Sequence, residues 1–126
     1  MGRREQRERI VTILYIHIMG GQYEESLFDD TTIQMANEVI QYTFALDKII
    51  STCLENYTID RLNYMDLAIL RYATYEMKYT KTPYQVAINE AIELTKKYTN
   101  LDDGKAKNFN NRLLDTIKNY LETTQG

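Results

Sequence analysis

Residues 65–98, MDLAILRYATYEMKYTKTPYQVAINEAIELTKKY, decide the fold because they predict two helices joined by one short hinge. The hinge holds the chain's only proline, Pro83, and it predicts a helix start in which Thr82 is the N-cap and Gln85 completes a capping box. After Pro83 the apolar residues recur at helical spacing, whereas the segment before it is apolar on nearly all sides, which is typical of a buried helix. The stretch therefore predicts an amphipathic helix packed beside a central, buried one.

The N-terminal half of the chain also follows the helical period. Residues 3–19 predict a first helix with a charged head and an apolar body, and Gly20-Gly21 ends it. Residues 31–57 predict an amphipathic helix of about 25 residues, or two collinear helices. Thr31 and Gln34 form a second capping box at its start.

The C-terminal part adds one loop and one further helix. We predict the loop over residues 100–104 and the last helix over about 105–122. No segment alternates apolar and polar residues with the period of a strand. The sequence therefore predicts a single all-α domain, residues 1–126, with five to seven helices.

Composition limits the classes to which the protein can belong. The lone cysteine, Cys53, has no partner for an internal disulfide, and no apolar run reaches the roughly 18 residues of a membrane span. The N-terminus begins with charge instead of a secretion signal, so we expect a cytoplasmic protein that does not bind membranes. The net charge is −3, but residues 20–60 hold eight acids and one lysine, which leaves an anion-binding face elsewhere compatible with it.

The residues needed for an enzyme active site are scarce. His17 is the only histidine and lies in an apolar helix, so neither a zinc site nor a histidine base has partners. Cys53 falls on an apolar helix face, where a small core residue is the simpler interpretation. Glu90 and Glu93 lack a histidine at metal-binding spacing, and we expect one of them to pair with Arg71 on the preceding helix. We therefore expect no enzyme activity, cofactor or metal.

Basic residues give the best functional signal. Arg3, Arg4 and Arg7 fall within about one third of the circumference of the first helix. Arginines in a first turn oppose the helix dipole, so phosphate contact is one explanation of their position and a solvated charged terminus is the other. A second basic group surrounds the last loop, interleaved with aromatic and amide side chains: Lys96, Lys97, Lys105, Lys107 and Arg112. Such a mixture is typical of surfaces that bind single-stranded RNA.

Three stretches together resemble the NusB transcription antitermination family. DLAILRYATYEM followed by PYQVAINEAIELTKKY is similar to the family's central signature, RERIVTILY to its basic opening helix, and FNNRLLDTI to its closing motif. That closing motif usually reads Phe-Val-Asn-Gly-Val-Leu-Asp. This chain departs from it with Asn110 and Arg112, and it has Asn108 where lysine usually precedes the phenylalanine.

The resemblance implies an all-helical domain of two packed antiparallel bundles with about six or seven helices. It implies binding to a boxA-type single-stranded RNA in ribosomal RNA leader transcripts, together with a small-subunit ribosomal protein in the NusE role, in a Nus complex on RNA polymerase. The residues that match the family's RNA-binding motifs are Arg3, Arg4, Arg7, Tyr15, Phe109 and Asn111. The loop residues Lys105 and Lys107 are added to this RNA site, and the ribosomal-protein face would lie near Asp66.

Two other hypotheses about the function remain open. One is a helical protein-interaction adaptor or homodimer without RNA binding, which the acidic segment and the altered closing motif favour. The other is a stand-alone relative of the RNA-binding domain attached to ribosomal RNA cytosine methyltransferases. The free protein would be a monomer or a homodimer.

Overall fold

The computed structural model describes residues 2–100 and 104–125, and their regular secondary structure is entirely helical. The six α-helices are α1 (Arg3–Ile18), α2 (Asp30–Gln41), α3 (Thr43–Cys53), α4 (Tyr64–Tyr79), α5 (Tyr84–Tyr98) and α6 (Lys105–Gln125). Single 3₁₀ turns occur at Glu25–Leu27 and Ile59–Arg61. The predicted all-α class is confirmed, while residues 101–103 of the predicted last loop lie outside the described part of the chain. None of the described helices combines the length and the apolar character needed to cross a membrane.

The central helix is α4, which contacts each of the other five α-helices. Its side chains are buried on nearly all sides, as the apolar pattern of residues 65–79 predicts. Asn63 starts it as the N-cap, because its side-chain oxygen accepts a hydrogen bond of 2.7 Å from the Asp66 backbone N–H. This cap was not predicted from the sequence.

Both predicted capping boxes are wrong. α5 begins at Tyr84 with Pro83 as its N-cap residue and without a side-chain cap. The Thr82 hydroxyl oxygen accepts from the Thr80 hydroxyl at 2.9 Å, and the Thr82 hydroxyl donates to Glu76 Oε2 at 3.1 Å. α2 begins at Asp30, and its N-cap is Asp29, whose carboxylate accepts from the Thr32 backbone N–H at 3.0 Å. Side-chain partners therefore engage the Thr82 hydroxyl before α5, and a better-placed carboxylate caps α2.

The long amphipathic segment is divided into two helices at Tyr42. The backbone of Tyr42 leaves the helical region (φ −93°, ψ 9°), which separates α2 from α3. Its ring stacks on the Tyr79 ring at a centroid distance of 4.2 Å and lies 6.0 Å from the Tyr75 ring. Both of those rings belong to α4, so the break coincides with packing against the central helix.

Arg71 on α4 pairs with α3 and not with α5. Its guanidinium donates to both carboxylate oxygens of Asp47, at 2.8 and 2.7 Å. The expected pairing with Glu90 or Glu93 is therefore wrong, because Glu90 is bound by Arg4 of α1.

A buried ion pair joins α1 to α4. Arg7 is only 7% exposed, and its Nε and Nη2 donate to the two carboxylate oxygens of Glu76 at 2.8 and 3.1 Å. Arg3 Nη2 and the Thr82 hydroxyl also donate to Glu76 Oε2, at 3.2 and 3.1 Å. With four donors the Glu76 carboxylate is well satisfied although it is almost completely buried.

Arg7→Met should lower the free energy of unfolding by about 3–5 kcal/mol, because it leaves the Glu76 carboxylate buried without its main countercharge. The measurement is urea unfolding followed by circular dichroism. Arg9→Met is the matched control, since Arg9 on the same helix makes an exposed pair with Glu5 and should change stability by about 1 kcal/mol or less. A loss for Arg7→Met no larger than that of the control would contradict a structural role for the pair.

Candidate nucleic-acid interface

A cleft of about 540 Å³ lies where α1, α5 and α6 meet. Its basic side chains come from all three helices and are Arg4, Lys96 and Lys107. The other polar and apolar lining residues are Asn89, Glu90, Ile92, Glu93, Asn108 and Asn111. The fold therefore brings Arg4 of the N-terminal basic group beside Lys107, Asn108 and Asn111 of α6.

A second cleft of about 340 Å³ continues along the line of contact between α1 and α5. It shares Arg4, Glu90, Glu93 and Lys96 with the first and adds Arg7, Glu8, Leu94 and Lys97. We call the two together the α1–α5–α6 cleft. Its walls alternate positive and negative side chains, so it is not a uniformly basic surface.

Arg4 is exposed, yet it is bound to an acid. Its Nε and Nη2 donate to Glu90 Oε1 and Oε2 at 3.0 and 2.8 Å, a bidentate pair that connects α1 to α5. The hydrogen bond from Arg4 lowers the pKa of the Glu90 carboxyl below its ordinary value. The carboxylate is therefore charged at neutral pH and competes directly with any phosphate for this arginine.

Glu8 makes the next connection between the same helices. Its Oε2 accepts from Lys97 Nζ at 2.6 Å and from the Tyr98 hydroxyl. Hydrogen bonds from Lys97 and Tyr98 lower the pKa of the Glu8 carboxyl, whereas burial and the Glu8 contact raise the pKa of the Tyr98 hydroxyl. Glu8 of α1 therefore holds the C-terminal end of α5 through hydrogen bonds to a charged carboxylate.

The three arginines predicted to contact phosphate differ in how far their side chains are exposed to solvent. Arg4 is largely exposed in the cleft, and the Arg3 side chain is half exposed while donating to Glu76. Arg7 is buried in its pair with Glu76, so a phosphate contact would have to break that pair. Arg7 acts as a positioning residue for α1.

The two halves of the closing motif face opposite sides of α6. Lys107, Asn108 and Asn111 line the α1–α5–α6 cleft, while Phe109 and Arg112 line a separate groove of about 260 Å³ against the end of α3. In that groove the Phe109 ring packs on the Tyr57 ring at 5.5 Å, and the Arg61 guanidinium lies 4.6 Å from the Tyr57 ring centroid. Phe109 is therefore not part of the cleft that holds Arg4.

Asn110, which stands where the family usually has valine, is fully buried. Its Nδ2 donates to Asp66 Oδ1 and to Thr95 Oγ1, each at 3.1 Å, and so joins α6 to α4 and α5. Asp66 Oδ2 accepts from Asn63 Nδ2 at 2.8 Å. The Asp66 carboxylate is thus buried and hydrogen-bonded inside the protein, whereas its neighbours Asn63 and Tyr64 are exposed.

The remaining predicted residues lie outside the cleft. Tyr15 is half-buried against the core, and Lys105 is exposed in the first turn of α6 without lining the cleft. Lys96, Asn89 and Asn108 line the cleft but were not assigned to the site from the sequence. Lys96 belonged to the second basic group and Asn108 to the amide residues interleaved with it, so both carried a sequence signal, whereas Asn89 carried none.

Comparisons with known proteins place the chain in one family. The NusB family model matches residues 4–119. The transcription antitermination protein NusB of Bacillus velezensis is 39% identical over 108 residues, which cover 85% of this chain and 78% of that protein. The NusB protein of Campylobacter curvus is 34% identical over 128 residues, which cover 92% of this chain and 95% of that protein.

Solved structures agree with the fold. A structure of T. maritima NusB superposes with a TM-score of 0.77 at 28% identity, and covers 94% of this chain and 92% of that one. A chain in a structure described as "Crystal Structure of a Plectonemic RNA Supercoil" superposes with a TM-score of 0.82 at 23% identity, with 97% of each chain covered. At 23% identity, this second structural similarity supports the fold alone.

Asn110→Val should lower the free energy of unfolding by about 1–3 kcal/mol, because Asp66 Oδ1 would lose its donor inside the protein. Asn111→Val is the matched control, since Asn111 is the next residue of α6 but is exposed, and it should cost about 0.5 kcal/mol or less. Both values come from urea unfolding at pH 7. A stabilised Asn110→Val protein would mean that the carboxylate does not need this amide.

Glu8 should make stability depend on pH in the acid range. Its carboxyl has a pKa below the ordinary value of 4.5, so its contribution is present above that value and is lost as the pH falls through the lowered folded-state pKa. The difference in unfolding free energy between the wild type and Glu8→Gln should therefore shrink as the pH falls from 7 to about 3. Lys97→Met should reduce the same pH-dependent difference, and parallel pH curves for wild type and Glu8→Gln would contradict this assignment.

Proposed function

The chain belongs to the NusB family of transcription antitermination factors, which are not enzymes, and we propose that it binds single-stranded RNA in the α1–α5–α6 cleft. The RNA would be a boxA-type element in ribosomal RNA leader transcripts. The observation that carries the proposal is the convergence of Arg4, Lys96 and Lys107 from three helices on one cleft. These residues are up to 103 positions apart in the chain, so helix periodicity alone does not account for their meeting.

The side chains of the cleft match the two tasks of RNA recognition. Arginine and lysine contact phosphates, which gives affinity and position but no sequence information. The amides of Asn89, Asn108 and Asn111 can donate to and accept from the Watson–Crick edges of bases, which are free only in an unpaired strand. A single strand therefore suits the cleft better than a duplex.

Phe109 would contact the same RNA strand on the other side of α6. A strand leaving the cleft would cross the first turn of α6 near Lys105 and Asn108, and would then reach the groove lined by Phe109, whose ring packs on the Tyr57 ring. Aromatic rings of this kind stack on bases without strong sequence preference. Arg3 would add a phosphate contact at the α1 end, while Tyr15 stays a predicted contact without support from the cleft geometry.

The partner would be a small-subunit ribosomal protein in the NusE role, within a Nus complex on RNA polymerase. We place its docking surface at the start of α4, around Asp66. The buried Asp66 carboxylate would hold the N-terminal turn of α4 in shape, and the exposed Tyr64 ring would make the contact itself. Tyrosine is well suited to such a surface because it combines a large apolar ring with a polar hydroxyl.

One observation favours the alternative of an adaptor that binds protein and not RNA. The cleft contains Glu90 and Glu93, and these acids pair with Arg4 and Lys96. Acidic side chains in the cleft weaken phosphate binding. The two proposed functions therefore differ in whether the basic side chains of the cleft bind RNA.

RNA titration decides between them. A labelled boxA-like single strand should bind with an affinity that falls as salt rises, and Arg4→Gln or Lys107→Gln should each reduce the slope of log K against log salt by about 0.7. Lys48→Gln is the control, because Lys48 is an exposed α3 lysine that lines neither the cleft nor the Phe109 groove. Titrations with and without the ribosomal partner complete the experiment. An unchanged slope in both variants, or no binding even with the partner, would favour the adaptor.

A further inference from the structure

Arg4 is already held by a ligand of the kind that the cleft is proposed to bind. Its Nε and Nη2 form one edge of the guanidinium fork, and both donate to the Glu90 carboxylate. A phosphate offers the same pair of acceptor oxygens to the same fork, so a carboxylate and a phosphate cannot both occupy this edge. Glu90 therefore stands in the place where an RNA phosphate would bind Arg4.

We propose that Glu90 sets the affinity of the RNA site, as an internal competitor that a backbone phosphate must displace from the Nε–Nη2 edge of Arg4. This inference rests on the proposed function. It assigns to Glu90 a role in ligand binding in addition to its role in joining α1 to α5.

The surroundings of Glu90 allow the exchange. Glu90 Oε1 also lies 3.8 Å from Arg7 Nη1, and Arg7 is held in place by Glu76. When a phosphate takes Arg4, the Glu90 carboxylate keeps Arg7 as a countercharge and is not left unpaired in a partly buried position. The Arg4 side chain is 72% exposed, so it can turn towards a ligand without disturbing the core.

A continuous strand has more contacts to offset the displacement than a single phosphate has. A single phosphate binds Arg4 at this edge only by breaking an existing bidentate pair, so its net gain in free energy is small. A strand that reaches Lys96 and Lys107 in the same cleft adds contacts that need no displacement of Glu90. Glu90 therefore lowers the affinity of every ligand that uses this edge of Arg4, and the further contacts of a continuous strand offset that loss.

Four variants test this with one probe, a labelled boxA-like single-stranded RNA at constant salt. Glu90→Gln removes the competitor and should tighten binding by about threefold, a gain of the size of an exposed ion pair. Glu93→Gln is the matched control, because it removes the same charge from the same cleft, and among the described residues the Glu93 carboxylate is ion-paired with Lys96, at 3.5 Å, and not with Arg4. Arg4→Gln, alone and combined with Glu90→Gln, completes the cycle. Thermal melts confirm that each variant is folded.

The gain from Glu90→Gln should exceed that of Glu93→Gln and should disappear in the Arg4→Gln background. Equal gains for the two glutamate variants, a gain that persists without Arg4, or weaker binding by Glu90→Gln would each overturn the inference. If RNA binds and Arg4→Gln weakens it while Glu90→Gln has no effect, the inference fails and the proposed function stands. If neither the wild type nor any variant binds RNA, the proposed function itself fails.

Discussion

The buried pair between Arg7 and Glu76 is the interaction on which the rest of the structure depends. It fixes the first helix against the central one at a depth where an unpaired charge would be costly, so α1 has one position and one rotation. That rotation points Arg4 towards α5 and Arg3 towards the rim. Every property of the cleft that involves α1 follows from this placement.

A second buried polar group holds the opposite wall. Asn110 of α6 donates to Asp66 of α4 and to Thr95 of α5, and so joins three helices through one amide. The apolar core alone would tolerate small shifts between helices, whereas directional hydrogen bonds in a buried site tolerate few. The two polar contacts hold α1 and α6, the helices that supply Arg4 and Lys107 to the cleft, against the central helix α4. The valine usual at this point of the closing motif offers no such bond, so this way of holding α6 comes from a departure from the family pattern.

Prediction from the sequence succeeded where local patterns carry the information. The all-round apolar character of residues 65–79 marks α4 as the central helix, and the basic groups at the two ends of the chain mark residues that meet in the cleft. It failed where the partner is distant in sequence. Arg71 was assigned an acid on α5, but Asp47 of α3 binds it, and Thr82 was assigned to a helix cap, but Glu76 accepts its hydroxyl. Periodicity tells which side of a helix faces inwards and not which helix it will meet.

The sequence by itself determined the helical class, the buried central helix, the family resemblance and the presence of positive charge near both ends of the chain. Only the tertiary structure decided which of those charges are available to a ligand. Arg3, Arg4 and Arg7 look equivalent on a helical wheel, but burial and pairing make Arg7 a structural residue and Arg4 a cleft residue bound to Glu90. Likewise Asn111 and Phe109 lie in the same turn of α6, but Asn111 lines the α1–α5–α6 cleft and Phe109 lines the separate groove. The physical reason is that a charge acquires its role from its solvation and its nearest opposite charge, and both are set by residues far away in the chain.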